Sequence, residues 1–436
     1  MEKKESKKRM TRRDFIRAAS VTAAGLVTSS ILPEGVKAAA NEMPAPSVLG
    51  ANDRINIGII GVGGMGGGHL NMLRDMQDEQ NIRVVAVCDV YDKRLEKARS
   101  ALKLPHSYAY KDYRKLLERN DIDHVVIATP DHWHAPIAIA AMESGKHVYV
   151  EKPMSHDFDE AVEMWKTAKR TKRLVQVGSQ GCTDTKWHKA GELVRAGRIG
   201  TVIWAQGGYC RNNPNGEWNY DIDPDANESN IDWKMWLGKA PKRPFSAERY
   251  FRWRKYWDYG SGIIGDLWPH RLHPLMIAMA MEDQWPSHVT CVGAIPCHTD
   301  EGHGEPRDVA ENTMLTVVYT NSAMVFLAGS TVNERSVEDM IHGQKGNLYF
   351  GGGKVRIEPE RPFADEVEAK DEPYEGPGES QVEHHKNMFA AIRTGAKQNC
   401  DIELGLRVQT VVSMAIKSYR ENKMVRFDPK NMRMIT

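Results

Sequence analysis

The residues Ile57-Gly58-Ile59-Ile60-Gly61-Val62-Gly63-Gly64-Met65-Gly66 run from an apolar, β-branched stretch into the spacing G-x-G-x-x-G. Such a stretch is the strand, tight turn and helix start that hold a dinucleotide: the first glycine permits the turn, the second lets backbone approach a pyrophosphate, and the third allows close packing of the helix. Gly61, Gly63, Gly64, Met65 and Gly66 are therefore the expected phosphate-side contacts, with the helix N–H groups and positive dipole end facing the anion. A glycine-rich turn alone is weak. A second apolar run, Val84 to Cys88, adds weight because it ends in Asp89, 23 residues beyond Gly66. A carboxylate at that strand end accepts from ribose hydroxyls and repels a 2′-phosphate, so NAD is expected over NADP, with Lys93 and Arg94 as the residues that would favour the phosphate instead.

A second group with chemical spacing is Asp266, His270 and His273, at i, i+4 and i+7 of a helical pattern. Three such ligands on one face would suit a zinc ion with an open fourth position. The alternative is that Asp266 caps a helix in which Pro269 occupies the first turn, where no N–H is missed. Catalytic use of Asp266 and His270 is expected ahead of metal binding, and no metal is assigned.

These groups need a scaffold, and the pattern along the chain supplies one. From Arg54 to about Val177 strand and helix alternate: a helical stretch follows the glycines from His69 to Met76, then Lys93 to Lys103 and Tyr110 to Arg119, strand His124 to Ala128, helix Ala135 to Ser144 ending at Gly145, strand Lys146 to Val150, helix Phe158 to Thr171 and strand Leu174 to Val177. Alternation of this kind implies a doubly wound parallel sheet, an α/β Rossmann domain over residues 54–177. Residues 178–436 read differently. Alternating runs at Val202 to Tyr209, Val289 to Ala294, Thr313 to Tyr319 and Met324 to Ala328 predict an open, largely antiparallel sheet of α+β type, with helices at Val382 to Thr394 and Leu404 to Asn422 and an exposed loop over 359–379. This second domain is expected to serve substrate binding and oligomerisation. A segment from Arg211 to Arg254 carries Trp218, Tyr220, Trp233, Trp236 and Trp253 among Asn and Asp residues. Aromatic planes beside polar groups suit a sugar, although core packing is the better expectation for most of these rings.

Ahead of both domains, Lys3, Lys4, Lys7, Lys8 and Arg9 precede Thr11-Arg12-Arg13-Asp14-Phe15-Ile16-Arg17, an apolar run from Ala18 to Leu32, and Ala38-Ala39-Ala40. The order predicts a twin-arginine export signal over 1–40 and a linker over 41–53, hence a periplasmic or otherwise exported protein without a stable membrane span once processed. That route carries folded proteins, so a nicotinamide cofactor would travel bound and be re-oxidised in place or used in a closed cycle. Net charge is +1, which suggests no nucleic-acid partner, and the six cysteines show no metal-ligand or C-x-x-C spacing.

Two further stretches carry a family resemblance. Val126-Ile127-Ala128-Thr129-Pro130-Asp131-His132-Trp133-His134 with Gly145 to Pro153, and Gly260-Ser261-Gly262-Ile263-Ile264-Gly265-Asp266-Leu267-Trp268-Pro269-His270, resemble the glucose-fructose oxidoreductase, inositol dehydrogenase and rhizopine catabolism family (Gfo/Idh/MocA), from about Arg54 to the end of the chain. The resemblance implies Lys152, Asp266 and His270 as catalytic residues, and Thr129, Pro130, His134, Glu151 and Lys152 as further NAD contacts, with Gln180 reaching nicotinamide or substrate. Members often carry Asp where His273 stands, so that position departs from the pattern. The leading expectation is an exported NAD-dependent dehydrogenase of a carbohydrate or glycoside secondary alcohol, working as a homo-oligomer. The first alternative is a glycosidase that oxidises a sugar hydroxyl transiently with bound NAD and eliminates the aglycone, as some exported relatives do. Gly178-Ser179-Gln180 resembles the dehydrogenases more than those glycosidases. The second alternative, a non-catalytic sugar-binding protein, sits poorly with an intact Lys152, Asp266 and His270.

Overall fold

The structure, a computed structural model, describes residues 54–299 and 304–435. The export signal and linker expected over 1–53 lie outside the described residues. The first half runs β1 (Ile55–Ile60), α1 (Gly64–Asp75), β2 (Ile82–Cys88), α2 (Asp92–Ala101), β3 (Ala109–Tyr110), α3 (Tyr113–Leu117), β4 (His124–Ile127), α4 (Asp131–Glu143), β5 (His147–Glu151), α5 (Phe158–Thr171) and β6 (Val175–Gly178). Its strands are all parallel, in the order β3-β2-β1-β4-β5-β6. This is the Rossmann sheet that the alternation predicts. Helix α5 has the expected bounds, and Asp157 starts it by accepting the N–H of Glu160 at 3.0 Å. Helix α4 ends as expected, with Gly145 at φ +80° just beyond it, but begins at Asp131 instead of Ala135. The helix expected from Tyr110 to Arg119 shrinks to Tyr113–Leu117, because Ala109 and Tyr110 pair with the end of β2 instead.

The second half continues with α6 (Thr185–Arg195), β7 (Val202–Cys210), α7 (Trp233–Leu237), α8 (Ala247–Phe251), α9 (Gly262–Asp266), α10 (Pro269–Ala278), β8 (Pro286–Ala294), β9 (Asn312–Tyr319), β10 (Met324–Ser330), β11 (Met340–Gly343), β12 (Gly346–Gly351), β13 (Lys354–Pro359), β14 (Lys370–Pro373), α11 (Gln381–Thr394), α12 (Ile402–Glu421), β15 (Val425–Asp428) and β16 (Arg433–Ile435). Ten strands make one sheet, antiparallel throughout except where β7 lies parallel to β10. Part of the segment expected as a loop, 359–379, is the strand β14, antiparallel to β13 with Lys370 opposite Ile357 and Pro373 opposite Lys354. Apolar side chains of both halves form a shared core. Helix α11 packs Met388, Phe389 and Ile392 into one cluster with Ile57 and Val84 of the Rossmann sheet and Leu70 of α1. Among the described residues no helix is long and apolar enough to cross a membrane.

The expected single helix through Asp266, His270 and His273 is broken. Helix α9 ends at Asp266, Leu267 and Trp268 intervene, and α10 starts with Pro269 in its first turn. Trp268 stands at the cap position of α10, so the expected capping role of Asp266 is not realised; its carboxylate is engaged elsewhere.

Candidate active site

The turn after β1 shows why its glycines are needed. Gly61 takes φ +82°, and a Cβ there would stand 2.8 Å from the carbonyl oxygen of Ala128. A Cβ on Gly66 would meet the Gly61 oxygen at 1.8 Å, so the helix sits on the turn as closely as backbone allows. Gly64 faces open space, and no side chain caps α1 at Gly63, which leaves first-turn N–H groups for an anion. Nearby, the hydroxyl oxygen of Thr129 is sealed from solvent without a partner. A bare helix start, an open position at Gly64 and an orphaned hydroxyl together fit a bound dinucleotide.

Asp89 directly follows β2 and is held on both oxygens: Oδ2 accepts the Val62 N–H and Oδ1 the Tyr91 N–H, both at 2.9 Å. Its remaining lone pairs face a cleft of about 510 Å³. That cleft follows the carboxyl ends of the Rossmann strands, where doubly wound folds bind ligands. Lys93, one of the two residues that would favour NADP, is turned onto Asp223 at 2.8 Å and Asp225 at 2.8 Å. Arg94 does line the cleft, with its guanidinium 5.1 Å from the Tyr250 ring centre and 5.2 Å from that of Phe251.

The segment rich in aromatic residues forms the opposite wall. Its backbone pairs with the loop after β2: Tyr91 bridges Ile231, the Asp92 N–H donates to Asn230 O, and the Asp232 N–H donates to Val90 O, both at 3.0 Å. Tyr91, Ile231, Trp233, Trp236, Tyr250 and Tyr259 pack as a small separate core, with the rings of Trp233 and Trp236 stacked 4.7 Å apart. Most of the tryptophans are thus packing residues, as expected. Tyr220 and Trp253 line the cleft, together with Trp236 and Tyr250 of that core.

At the β5 end of the cleft the walls are charged. Lys152 Nζ donates to Asp266 Oδ1 at 2.8 Å and to the Asp266 carbonyl oxygen at 2.7 Å. Arg254 Nε donates to Asp266 Oδ1 at 3.2 Å, and Trp218 Nε1 to Oδ2 at 3.2 Å. Burial alone would raise the Asp266 pKa, but the Lys152 and Arg254 charges outweigh it and hold the carboxylate ionised well below the usual range. His270 is pushed the other way, first by burial and then by the Lys152 charge, so its imidazole is neutral at pH 7. Its Nδ1 is buried and unpartnered. Asp131, the first residue of α4, lines the same cleft; burial raises its pKa to about 8, with Asp266 adding repulsion and Arg254 opposing it. Asp131 is therefore largely protonated at neutral pH, while Lys152 and Arg254 both donate to the ionised carboxylate of Asp266.

The structure thus brings Lys152 and Asp266 into contact and sets His270 close enough to feel both charges. Thr129, Pro130, His134, Glu151, Gly61, Gly63, Gly64 and Met65 all line the cleft, and Gly66 lies beneath the turn. Both ring nitrogens of His134 meet protein carbonyls, of Pro153 at 2.7 Å and Thr129 at 2.8 Å, so this residue also ties the β4 and β5 ends together. Gln180, like Asp266 and His270, is not among the residues that line the cleft, and its amide donates to Glu379 at 2.9 Å. His273 Nδ1 faces the Pro269 carbonyl oxygen at 2.9 Å. Among the described residues no three His, Cys, Asp or Glu side chains are grouped as a metal site. Sequence reasoning missed Asp131, Arg254 and Trp218. Asp131 was visible as the residue directly after Thr129-Pro130; Arg254 and Trp218 carried no signal beyond membership of the aromatic segment.

Comparison with known proteins agrees with this geometry. Residues 55–179 match the NAD-binding Rossmann fold of the Gfo/Idh/MocA oxidoreductase family and residues 211–436 its C-terminal alpha/beta domain. A glycosyl hydrolase family 109 protein of Shewanella pealeana is 33% identical over 214 residues, 46% of each chain, and an alpha-N-acetylgalactosaminidase of Shewanella oneidensis is 31% identical over 211 residues, 45% of each. The match therefore spans less than half the length of these relatives. In fold, the chain resembles levoglucosan dehydrogenase in complex with NADH and L-sorbose, with a TM-score of 0.65 and 21% identity over 86% of this chain and 98% of that one. A dinucleotide cleft with this motif order, carried by matches over both halves, makes the chain an NAD-binding member of the Gfo/Idh/MocA oxidoreductase family.

Proposed function

We propose that the protein oxidises or reduces a secondary alcohol of a carbohydrate or glycoside, with NAD held in the cleft. The observation that carries this reading is the contact of Lys152 and Arg254 with Asp266 at the β5 end, beside the rings of Tyr220 and Trp253. Bound NAD supplies the hydride acceptor, and in reduced form the donor. The chain's own residues handle the proton and the charge. Lys152 hydrogen-bonds the reacting oxygen and stabilises the negative charge that develops there. His270, neutral at pH 7, takes the hydroxyl proton. Asp266 orients Lys152, Arg254 secures Asp266, and Tyr220 and Trp253 offer ring faces to the apolar side of a sugar. Gly61, Gly63, Gly64 and Met65 hold the phosphates, and Asp89 the ribose hydroxyls. Export by way of residues 1–40 belongs to the same reading, because a cofactor enclosed in this way travels with the protein; cell fractionation tests it.

A second reading is favoured by the glycosyl hydrolase family 109 relatives: the same oxidation, made transient and followed by loss of the aglycone. One experiment separates them. Protein carrying its own NAD is offered a glycoside without an external acceptor. A single stoichiometric rise in reduced-nicotinamide absorbance, followed by a stall, is expected of the dehydrogenase. Continuous release of sugar and aglycone would establish the glycosidase instead, and neither response with any of a panel of glycosides would sink both.

A further inference from the structure

A buried hydrogen-bond chain leads away from the cleft behind the reacting end. Glu151, the last residue of β5, lines the cleft, and its Oε1 lies 2.9 Å from Nε2 of His69 on α1. Nδ1 of His69 lies 2.9 Å from Nε2 of His385 on α11. Both histidines are fully buried, and the His385 ring stacks on Tyr149 with centroids 4.3 Å apart. The direction of the bonds follows from what each end can accept. The Glu151 carboxylate can only accept, so His69 donates through Nε2–H. His385 Nδ1 is buried without a partner, and burial drives the His385 pKa well below its ordinary value, so this ring is neutral. The cheaper tautomer leaves an unpartnered acceptor at Nδ1 and spends the N–H on His69, since an orphaned buried donor is rarer. Among the described residues no lysine or arginine forms an ion pair with Glu151, so the His69 contact is its closest polar partner. Burial would raise the Glu151 pKa, but its His69 hydrogen bond and neighbouring charges outweigh that and keep it ionised.

We propose that His69 and His385 are positioning residues that hold Glu151 as an ionised carboxylate toward the nicotinamide half of the cleft, so that the site favours the oxidised, cationic ring over the reduced, neutral one. The position follows from the sheet order: with the phosphates at the β1 turn and Asp89 just after β2, the second half of a dinucleotide runs over β4 and β5, and Glu151 ends β5. The Lys152 charge helps to keep Glu151 ionised, while its ammonium itself is hydrogen-bonded to Asp266 at 2.8 Å. The inference rests on NAD binding alone, not on the sugar reading.

The test is an equilibrium measurement. Holoprotein is poised against an external redox couple of known potential without any sugar, and the bound oxidised-to-reduced ratio is read by nicotinamide absorbance. Glu151→Gln is expected to lower that ratio about ten-fold at fixed poise, the size of one charge interaction partly screened by the site. His69→Leu should lower it in the same direction, whereas His69→Gln, whose amide can stand where Nε2 does, should restore it. If His69→Leu does not fold, His385→Leu takes its place with the same expectation. An unchanged ratio in Glu151→Gln holoprotein, or a His69→Gln variant no better than His69→Leu, overturns the proposal while leaving NAD binding intact. Protein that holds neither form of the cofactor overturns both together.

Discussion

At its β2 end the cleft is walled by aromatic rings and backbone pairing: Arg94 lies over Tyr250 and Phe251, Trp236 stacks on Trp233, and Tyr91 bridges Ile231. At its β5 end, three strands along the same sheet, the wall is Lys152, Arg254 and a protonated Asp131, with Asp266 behind them holding both cations. The first end gains from apolar contact area and asks little of charge. The second holds cations and a carboxylate out of water, where each charge acts at low dielectric and the loss of one partner leaves another uncompensated. One end is built to keep a ligand, the other to respond to a change of charge on it. The contrast predicts that substitutions at the β5 end change rate and pH dependence, and substitutions at the β2 end change how long NAD stays.

The largest effect is expected at the β5 end. Lys152→Met keeps the stem and removes the charge, so turnover should fall by about 10²- to 10³-fold, the usual consequence of losing one donor to a developing oxyanion. Bound NAD in the purified variant should stay within a few-fold of the parent. Equal losses in turnover and in NAD content would erase the distinction between the two ends. At the β2 end, Tyr250→Ala removes a ring that Arg94 lies across, and NAD release should quicken about ten-fold, with the rate of the chemical step in the loaded protein unchanged. Stopped-flow release against an NAD trap, alongside single-turnover rates, separates the two.

Asp131 tests the charge argument by pH. Its folded-state pKa of about 8 lies above the value of about 4 for an unfolded aspartate, so between those values the native state keeps a proton that the unfolded state has released. Its contribution to stability therefore falls as pH rises from about 4 through about 8 and is level above that. Asp131→Asn should remove this slope, and the melting temperature of the parent should drop relative to the variant over that window. Turnover of the parent should also decline above pH 8, as a second negative charge appears beside Asp266, and the variant should lack that limb. Parallel profiles for parent and variant would show that Asp131 ionises like any exposed aspartate.

Which of these features could be read from the chain follows the same division. The glycine turn, Asp89 and helix α5 were legible because each is a local pattern, fixed by φ, by periodicity or by one capping residue within a few positions. Asp131 meeting Arg254, and Glu151 meeting His69 and His385, depend on chain segments that only the folded sheet edges bring together. The break after Asp266 was hidden because Asp266, His270 and His273 keep helical spacing through Leu267 and Trp268, and only the cap at Trp268 shows that two helices meet there. Strands β11 to β14 were missed for a related reason: they are short, and each is defined by its neighbour more than by its own alternation.

The smallest effect concerns the latch between Lys93 and the Asp223 and Asp225 pair, and it asks which contacts hold the β2 end closed. Both ion pairs are short, at 2.8 Å, yet the Lys93 side chain is 56% exposed and Asp225 71%. Water and salt screen such pairs, and holding a long side chain in place costs entropy. The backbone pairing at Tyr91 and Ile231 and the buried rings around it are untouched by loss of the lysine. Lys93→Ala should therefore speed NAD release by only about two-fold at low ionic strength, and by nothing measurable once salt is raised, whereas the Tyr250→Ala effect should persist at both. Removing Lys93 also leaves Asp89 as the charge nearest the ribose, so NADP should bind no better than before. If Lys93→Ala released NAD as fast as Tyr250→Ala, the segment would be held by charge and not by its aromatic core, and the two ends of the cleft would differ in residue type but not in the force that matters.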